Sequence, residues 1–481
     1  MRSGQRIPFT QGKRFLGRVG EYMKFTRVGA ALLAGAGFVG GVVAAPGCMA
    51  LSQQLGIQPA AARPADQAQT DRMLALFNTV LRRVRADYVD PVSNRTLIVN
   101  ALNGMLTGLD PHSAFMTEQQ WREMQSETTG QFGGIGLDVT ENAGVLQVIS
   151  PIDGTPASRA GIRPGDLITA VDGKSVEGLS LDDAVAALRG PPNSHLNLVI
   201  KRQGVDEPIV LALTRQIIHI ETVKSQLMGD IGVIRISEFT EQTNHNVRAA
   251  VKKLRAEANG HLAGLILDLR NDPGGLLDQA IAVSDDFLDH GIIVSTHGRH
   301  PSDDEAWAAK PGGDMVGNLP VVILTNNGTA SAAEIVAAAL QDNHRALVLG
   351  TQSFGKGSVQ TLIPLNGAGA IRLTTARYYT PSGRSIQGEG ITPNVVVQES
   401  RKPEPHFGGE REAELHHILT GGTPEPPPPA IDVPEAARQI PKLPPPNWPA
   451  LDPNKPETDF QLQQGLVLVR AMGASTRSAS R

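Results

Sequence analysis

The chain is short of cysteine, of net charge and of metal-binding patterns, and each shortage removes a class of function. Its one cysteine, Cys48, cannot form an internal disulfide and lies in an apolar segment away from other metal-ligating residues. Forty-four Lys and Arg against 48 Asp and Glu leave a formal net charge of -4, without the basic excess that phosphate binding favours. No nucleic acid partner is expected. The twelve histidines include no HExxH, and neither "HGRH" nor the pair at 416 and 417 has flanking carboxylates in a ligand pattern. A metalloprotease is thereby disfavoured, and neither a metal nor a cofactor is expected. No internal repeat is present, and 481 residues suffice for about two to four domains.

What the sequence does have begins at its N-terminus. Arg2, Arg6, Lys13, Arg14, Arg18, Lys24 and Arg27 precede an uncharged run, Val28 to Leu51, long enough to cross a bilayer. A positive flank before an apolar run directs export to the cell envelope, on the periplasmic or extracytoplasmic side. A cleaved signal peptide and a retained anchor in the cytoplasmic membrane both remain open. Pro46 departs from the usual lipobox around Cys48, which argues against a lipoprotein.

Organisation follows from periodicity. After residues 1–51 and a polar spacer at 52–70, two helical patterns fill 71–120, and short strands with one helix fill 121–213. In that helix Leu181, Ala184, Val185 and Leu188 share a face, as core or as groove. From 214 to 398 strands alternate with helices, implying a layered α/β domain with a largely parallel sheet. Residues 399–481 shift to a proline-rich connector with a short apolar segment, "FQLQQGLVLVRAM", that is expected to dock as a terminal helix.

The stretch "NNGTASAAEI", residues 326–335, carries Ser331 where a strand-to-helix turn ends. Free N–H groups at a helix start favour an oxyanion, although a serine there often only caps the helix. No histidine adjoins it, and the nearest downstream, His344, lies beyond the following helix. "GTQSFGKGSVQ", residues 350–360, offers Lys356 among glycines and Phe354, where desolvation would lower its pKa and free its lone pair. Gln360 is in reach of that lysine if the segment bends or turns helically, and would orient it. "DLRNDPGG" supplies Gly274 and Gly275, whose backbone can approach a carbonyl closely, with Ala332 N–H as a second donor. A solvated loop lysine and an ordinary glycine turn are the plainer alternatives.

Together these three segments resemble the C-terminal processing peptidases, or tail-specific proteases. "GLDPHSAFM", "GGIGLDV" and "LTTARYYTPSGRSIQGEGITPNVVV" add to the likeness, which spans about residues 74 to 397. The resemblance implies an α+β multidomain fold: N-terminal helices, a β-barrel-like PDZ module, a layered crotonase/ClpP-like protease core and a proline-rich tail. It implies catalysis by Ser331, Lys356 and Gln360, with Gly274, Gly275 and Ala332 as the oxyanion hole. Asp272 stands where that family often has asparagine. Gly133, Gly134, Ile135, Gly136 and Leu137 resemble the loop with which a PDZ module cradles a peptide's terminal carboxylate, the next strand pairing with the peptide. Arg189, before the Pro191–Pro192 break, is a candidate link between peptide occupancy and catalysis, or else a complement to the helix dipole. The implied substrates are unstructured protein C-terminal tails with apolar or small residues near the cut. An adaptor or activator, the membrane and a second copy of the chain are the further partners considered. The rivals are a nonenzymatic envelope scaffold with a degenerate protease domain, an acyl-CoA enzyme of similar layers, and a hydrolase using His344 as base.

Overall fold

A computed structural model describes residues 64–479, apart from 143–144, 153, 180, 402–410, 420–432 and 453. The basic N-region, the apolar run 28–51 and the spacer as far as 63 lie outside the described residues. No helix among those described is long and apolar enough to cross a membrane.

Helix α1 (Pro64–Asp87) starts inside the stretch read as a spacer, whose alanines and glutamines favour helix. Helix α2 (Asn94–Thr107) is capped by Ser93 in extended backbone, and α3 (Glu118–Thr129) by a Thr117–Gln120 capping box, ending at Gly130 with φ 66°.

The next module contains β2 (Gln131–Gly134), β3 (Leu137–Asn142), β4 (Val145–Pro151), β5 (Leu167–Val171), β6 (Lys174–Ser175), β7 (His195–Lys201), β8 (Ile209–Thr214) and β9 (Gln216–His219). Sheet order is β3-β4-β5-β7-β8, with β6 on β5, so β3 is an edge. Helix α4 (Leu181–Leu188) settles its own ambiguity: Ala184 and Leu188 are buried in the module's core, whereas Leu181 and Val185 stay half-exposed. Strand β2 pairs with β9, a ribbon leading directly into the following domain.

That domain is built on a six-stranded sheet, β10 (Val223–Met228), β11 (Ile231–Ile236), β12 (Gly264–Asp268), β15 (Val321–Thr325), β16 (Leu347–Gly350) and β19 (Val395–Val396), parallel from β11 onward. Its central strands read as unbroken apolar runs because both faces are covered. Helices α5 (Thr243–Glu257), α6 (Leu277–Asp285) and α7 (Ala332–Asp342) cover the face carrying Ile234, Leu265, Leu267, Val321 and Ile323. The other face, with Ile231, Val233, Ile266, Val322 and Leu324, packs against Phe460, Leu462, Leu466, Leu468 and Val469 of α8 (Phe460–Ala479). The short terminal segment is thus a twenty-residue helix that closes the core.

A second, five-stranded antiparallel sheet had no counterpart in the sequence reading. Its long strand β18 (Gly369–Tyr379) pairs with β17 (Ser358–Leu365), β13 (Ile292–Gly298) and β1 (Ala114–Met116), and β14 (Glu305–Ala308) pairs with β13. Most residues of β17 and β18 are half-buried, so these strands lack the clean alternation that marks a one-sided strand.

Candidate active site

Ser331 follows β15 and opens α7, with 7% of its surface exposed. Its backbone is at φ 53° and ψ -115°, a sparsely populated region that costs about 1–3 kcal/mol for a residue with a side chain. The capping residues Ser93 and Thr117, by contrast, are in relaxed extended backbone, at φ -71° and -63°. Capping alone therefore leaves the Ser331 conformation unexplained. Its hydroxyl hydrogen-bonds to the Tyr378 phenol, and burial pushes that phenol well above the ordinary tyrosine range.

Gly274 lies directly against the serine. At φ +100°, a Cβ there would come within 2.7 Å of Ser331 Cβ and 2.8 Å of Ala332 N, so only glycine fits. Gly275, at φ +137°, bridges to Phe239, and Ala330 N–H donates to Asp272 O at 2.8 Å, locking the two turns together. Gly274 N–H donates to Asp272 Oδ1 at 2.8 Å, so one expected oxyanion donor is occupied at rest. Asp272 Oδ2 is buried with no hydrogen-bond partner, and burial, seconded by nearby Glu238, raises this carboxyl well above its ordinary range.

Lys356 enters on the loop after β16. Burial, then the Arg372 guanidinium, lowers its ammonium below the usual lysine range, while Glu412 and Glu334 pull the other way. Among the described residues the ammonium donates no hydrogen bond to Ser331 or Gln360. The segment does not turn helically at Gln360. It forms β17 with a bulge between Val359 and Gln360, and the Gln360 amide donates to Ser358 Oγ at 2.8 Å and Ser358 O at 3.1 Å. His344 is exposed, in left-handed backbone past the far end of α7.

One residue that sequence reasoning missed joins the two loops. Glu334, fully buried on the first turn of α7, accepts Ser331 N–H at 2.8 Å and Lys356 N–H at 2.9 Å on Oε2. Its Oε1 accepts Gly355 N–H at 2.8 Å and the Ser353 hydroxyl. Burial raises this carboxyl to about 7 against the four bonds that hold it down. Its position three residues after a serine cap was the available signal, read only as helix composition. Asp268 and Arg270 were also missed: Asp268 grips Arg270, which reaches Asp459 at 2.7 Å and Gln461 at 3.2 Å in the tail. The tail thereby braces the strand end that feeds the glycine turn.

In the small module, Gly134, Ile135 and Gly136 are buried, with Gly133 and Leu137 half-buried beside them. Their carbonyls are anchored: Gly133 O accepts Gly190 N–H, Ile135 O accepts Ala157 N–H, and Gly136 O accepts Ile152 N–H. The guanidinium of Arg189 stacks 4.9 Å from the Phe132 ring centroid, with a buried, unpartnered Nε. Its contact is with β2 rather than the serine.

Comparison with known proteins agrees with this architecture. The profile of Peptidase family S41 matches residues 230–397, and a PDZ domain profile matches 147–202. A carboxy-terminal-processing protease of Bartonella bacilliformis is 48% identical over 357 residues, covering 73% of this chain and 82% of that protein. The carboxy-terminal processing protease CtpA of Bacillus subtilis is 37% identical over 325 residues, covering 67% and 68%. Among solved structures, the photosystem II D1 C-terminal processing protease aligns at 31% identity and TM-score 0.40, over 67% of this chain and 92% of that one. The chain belongs to the carboxy-terminal processing proteases of peptidase family S41, serine peptidases here carrying a PDZ domain.

Proposed function

We propose that the protein is an exported endopeptidase that captures unstructured C-terminal tails on its PDZ domain and cleaves them through a Ser331/Lys356 acyl-enzyme mechanism. The observation that carries this reading is the Glu334 carboxylate, which ties the strained Ser331 backbone and the Lys356 loop to one buried point. Lys356, as neutral amine, takes the Ser331 proton as the hydroxyl attacks the scissile carbonyl. Ala332 N–H, with that of Gly274 or Gly275, receives the oxyanion, and the ammonium returns the proton to the leaving amine. Water, deprotonated by the same lysine, then releases the acyl group.

The tail's terminal carboxylate is assigned to the Gly133–Leu137 loop, with its strand added to the free edge of β3. Arg189, through Phe132 and the β2–β9 ribbon, is the route by which occupancy reaches the core. The occupied Gly274 N–H and the unengaged lysine favour a resting enzyme awaiting peptide or an activator. The exposed Met73, Leu74, Leu76, Phe77 and Val80 of α1 support self-association. Export, with or without a retained anchor, rests on the basic flank and the run 28–51.

The test compares wild type, Ser331→Ala, Lys356→Ala and His344→Ala on a disordered reporter ending in apolar residues, read by mass spectrometry. Cleavage lost in the first two variants, by about a thousandfold or more, and kept in the third is expected. Activity surviving in Lys356→Ala, or lost in a folded His344→Ala, would remove lysine as the base.

A further inference from the structure

The tail beyond the family match seats a carboxylate against the Lys356 loop. Glu412, on a short 3-10 turn (Glu412–Glu414), is 0% exposed. Its oxygens lie 2.9 and 3.0 Å from His112 Nε2, and Oε1 accepts Gln387 Nε2 at 2.6 Å. The same turn and its partner Gln387 grip the Lys356 loop on both sides. Glu412 N–H donates to Phe354 O at 3.3 Å, Arg411 donates to Ser353 O at 3.3 Å and to Glu389 O, and Gln387 Oε1 accepts Gly357 N–H at 3.0 Å.

A buried carboxylate needs compensating charge. Among the described residues, the charged groups bearing on Lys356 are Arg372 of β18, Glu334 of α7 and Glu412 of the tail. Asp110 stands behind Arg372, and His112 behind Glu412. The Tyr378 phenol sits on the serine side. Of these anions, Glu334 is engaged by four donors of the two loops, whereas Glu412 is held by His112 and Gln387 on the 3-10 turn of the tail.

We propose that Glu412 is a positioning residue for Lys356: segment 411–415 pins the 353–357 loop and holds the lysine as ammonium, restraining turnover until the segment withdraws. The proposal rests on the Ser/Lys reading above. An ammonium cannot accept the serine proton, so the seated carboxylate opposes the first step. Withdrawing it favours the free amine.

The experiment follows labelled β-casein, a disordered protein, with the full-length chain in detergent, recording kcat/KM against pH for wild type, Glu412→Gln and Arg411→Ala. Glu412→Gln is expected to raise kcat/KM at neutral pH by about tenfold, the order for removing one charge beside a buried base, and to move the acid limb to lower pH. Arg411→Ala, which loosens the segment with the carboxylate intact, is expected to shift the limb the same way by less. An unmoved limb in Glu412→Gln, whether activity holds or falls, would overturn the proposal and leave Glu412 a packing residue. Lys356→Ala in both backgrounds separates the two readings: cleavage persisting there sinks the Ser/Lys mechanism itself.

Discussion

Ser331 and Lys356 reach the site from neighbouring parallel strands, β15 and β16, yet their surroundings at rest are unlike. Around Ser331 the backbone is already strained, Gly274 is packed against Cβ, and the helix start is in place. Around Lys356 the backbone is fixed by Glu334, but the ammonium engages neither the serine nor Gln360. The Ser331 turn, the proposed nucleophile's, is set by local sterics, which persist in the absence of substrate. The Lys356 charge, contested by Arg372, Glu412 and Glu334, is set by longer-range electrostatics, which on the proposed mechanism a docked tail or a shifted segment changes. On the proposed mechanism, regulation therefore acts on the lysine half.

Gly274→Ala attacks the finished half. The new methyl would press on Ser331 Cβ and Ala332 N, displacing both the proposed nucleophile and a proposed oxyanion donor. A loss in kcat/KM of about a hundredfold to a thousandfold is expected, with the acid limb of the pH profile unmoved. A moved limb would mean that the two halves are not separable.

Glu334→Gln attacks the link between them. An amide keeps one acceptor oxygen but sets an NH2 group against two of the four groups that already donate, so about a tenfold to hundredfold loss of activity is expected. Its stability has a definite sign with pH. Burial lifts the folded-state carboxyl from 4.5 to about 7, so its contribution is fully present below the unfolded value and lost as pH rises through about 7. Denaturation of both proteins in the Ser331→Ala background at about pH 5 and pH 8 should shift the stability difference toward the Gln variant by roughly 2–3 kcal/mol. An unchanged difference would place Glu334 in the anionic form throughout.

What was legible in the sequence follows the reach of its signals. The parallel sheet and helices α5 to α7 were readable because apolar runs and 3.6-residue periodicity are local. Ser331, Lys356 and the glycine turn stood out through residue type at strand ends; the structure packs Gly274 against Ser331 and joins the Lys356 backbone to that of Ser331 through Glu334. Glu334 was in plain view, but its task depends on donors from residues 353 to 356. Glu412 and α8 lay further still: a carboxylate ahead of a proline-rich stretch carries no local mark of being buried against His112, 300 residues earlier. The half-exposed Leu181 and Val185 show the same limit, since one helical stripe can serve core and groove together.

Gln360→Ala tests the smallest contribution and the weakest part of the sequence reading. A strand places Gln360 opposite Thr374, and the bulge at 359–360 turns its amide back to Ser358, whose hydroxyl is buried. An orienting role needs that amide to exchange Ser358 for Lys356 when substrate arrives, a side-chain movement across one bulge. The expected result is about a tenfold fall in kcat with KM nearly unchanged, because the interaction forms only after binding. Replacing Ser358 by alanine removes the shorter of the amide's two bonds and leaves the one to Ser358 O, so Ser358→Ala should hold or raise kcat while Gln360→Ala lowers it. If both variants reduce kcat equally, the pair acts as a brace for β17, and the lysine half is oriented by the 353–357 loop alone.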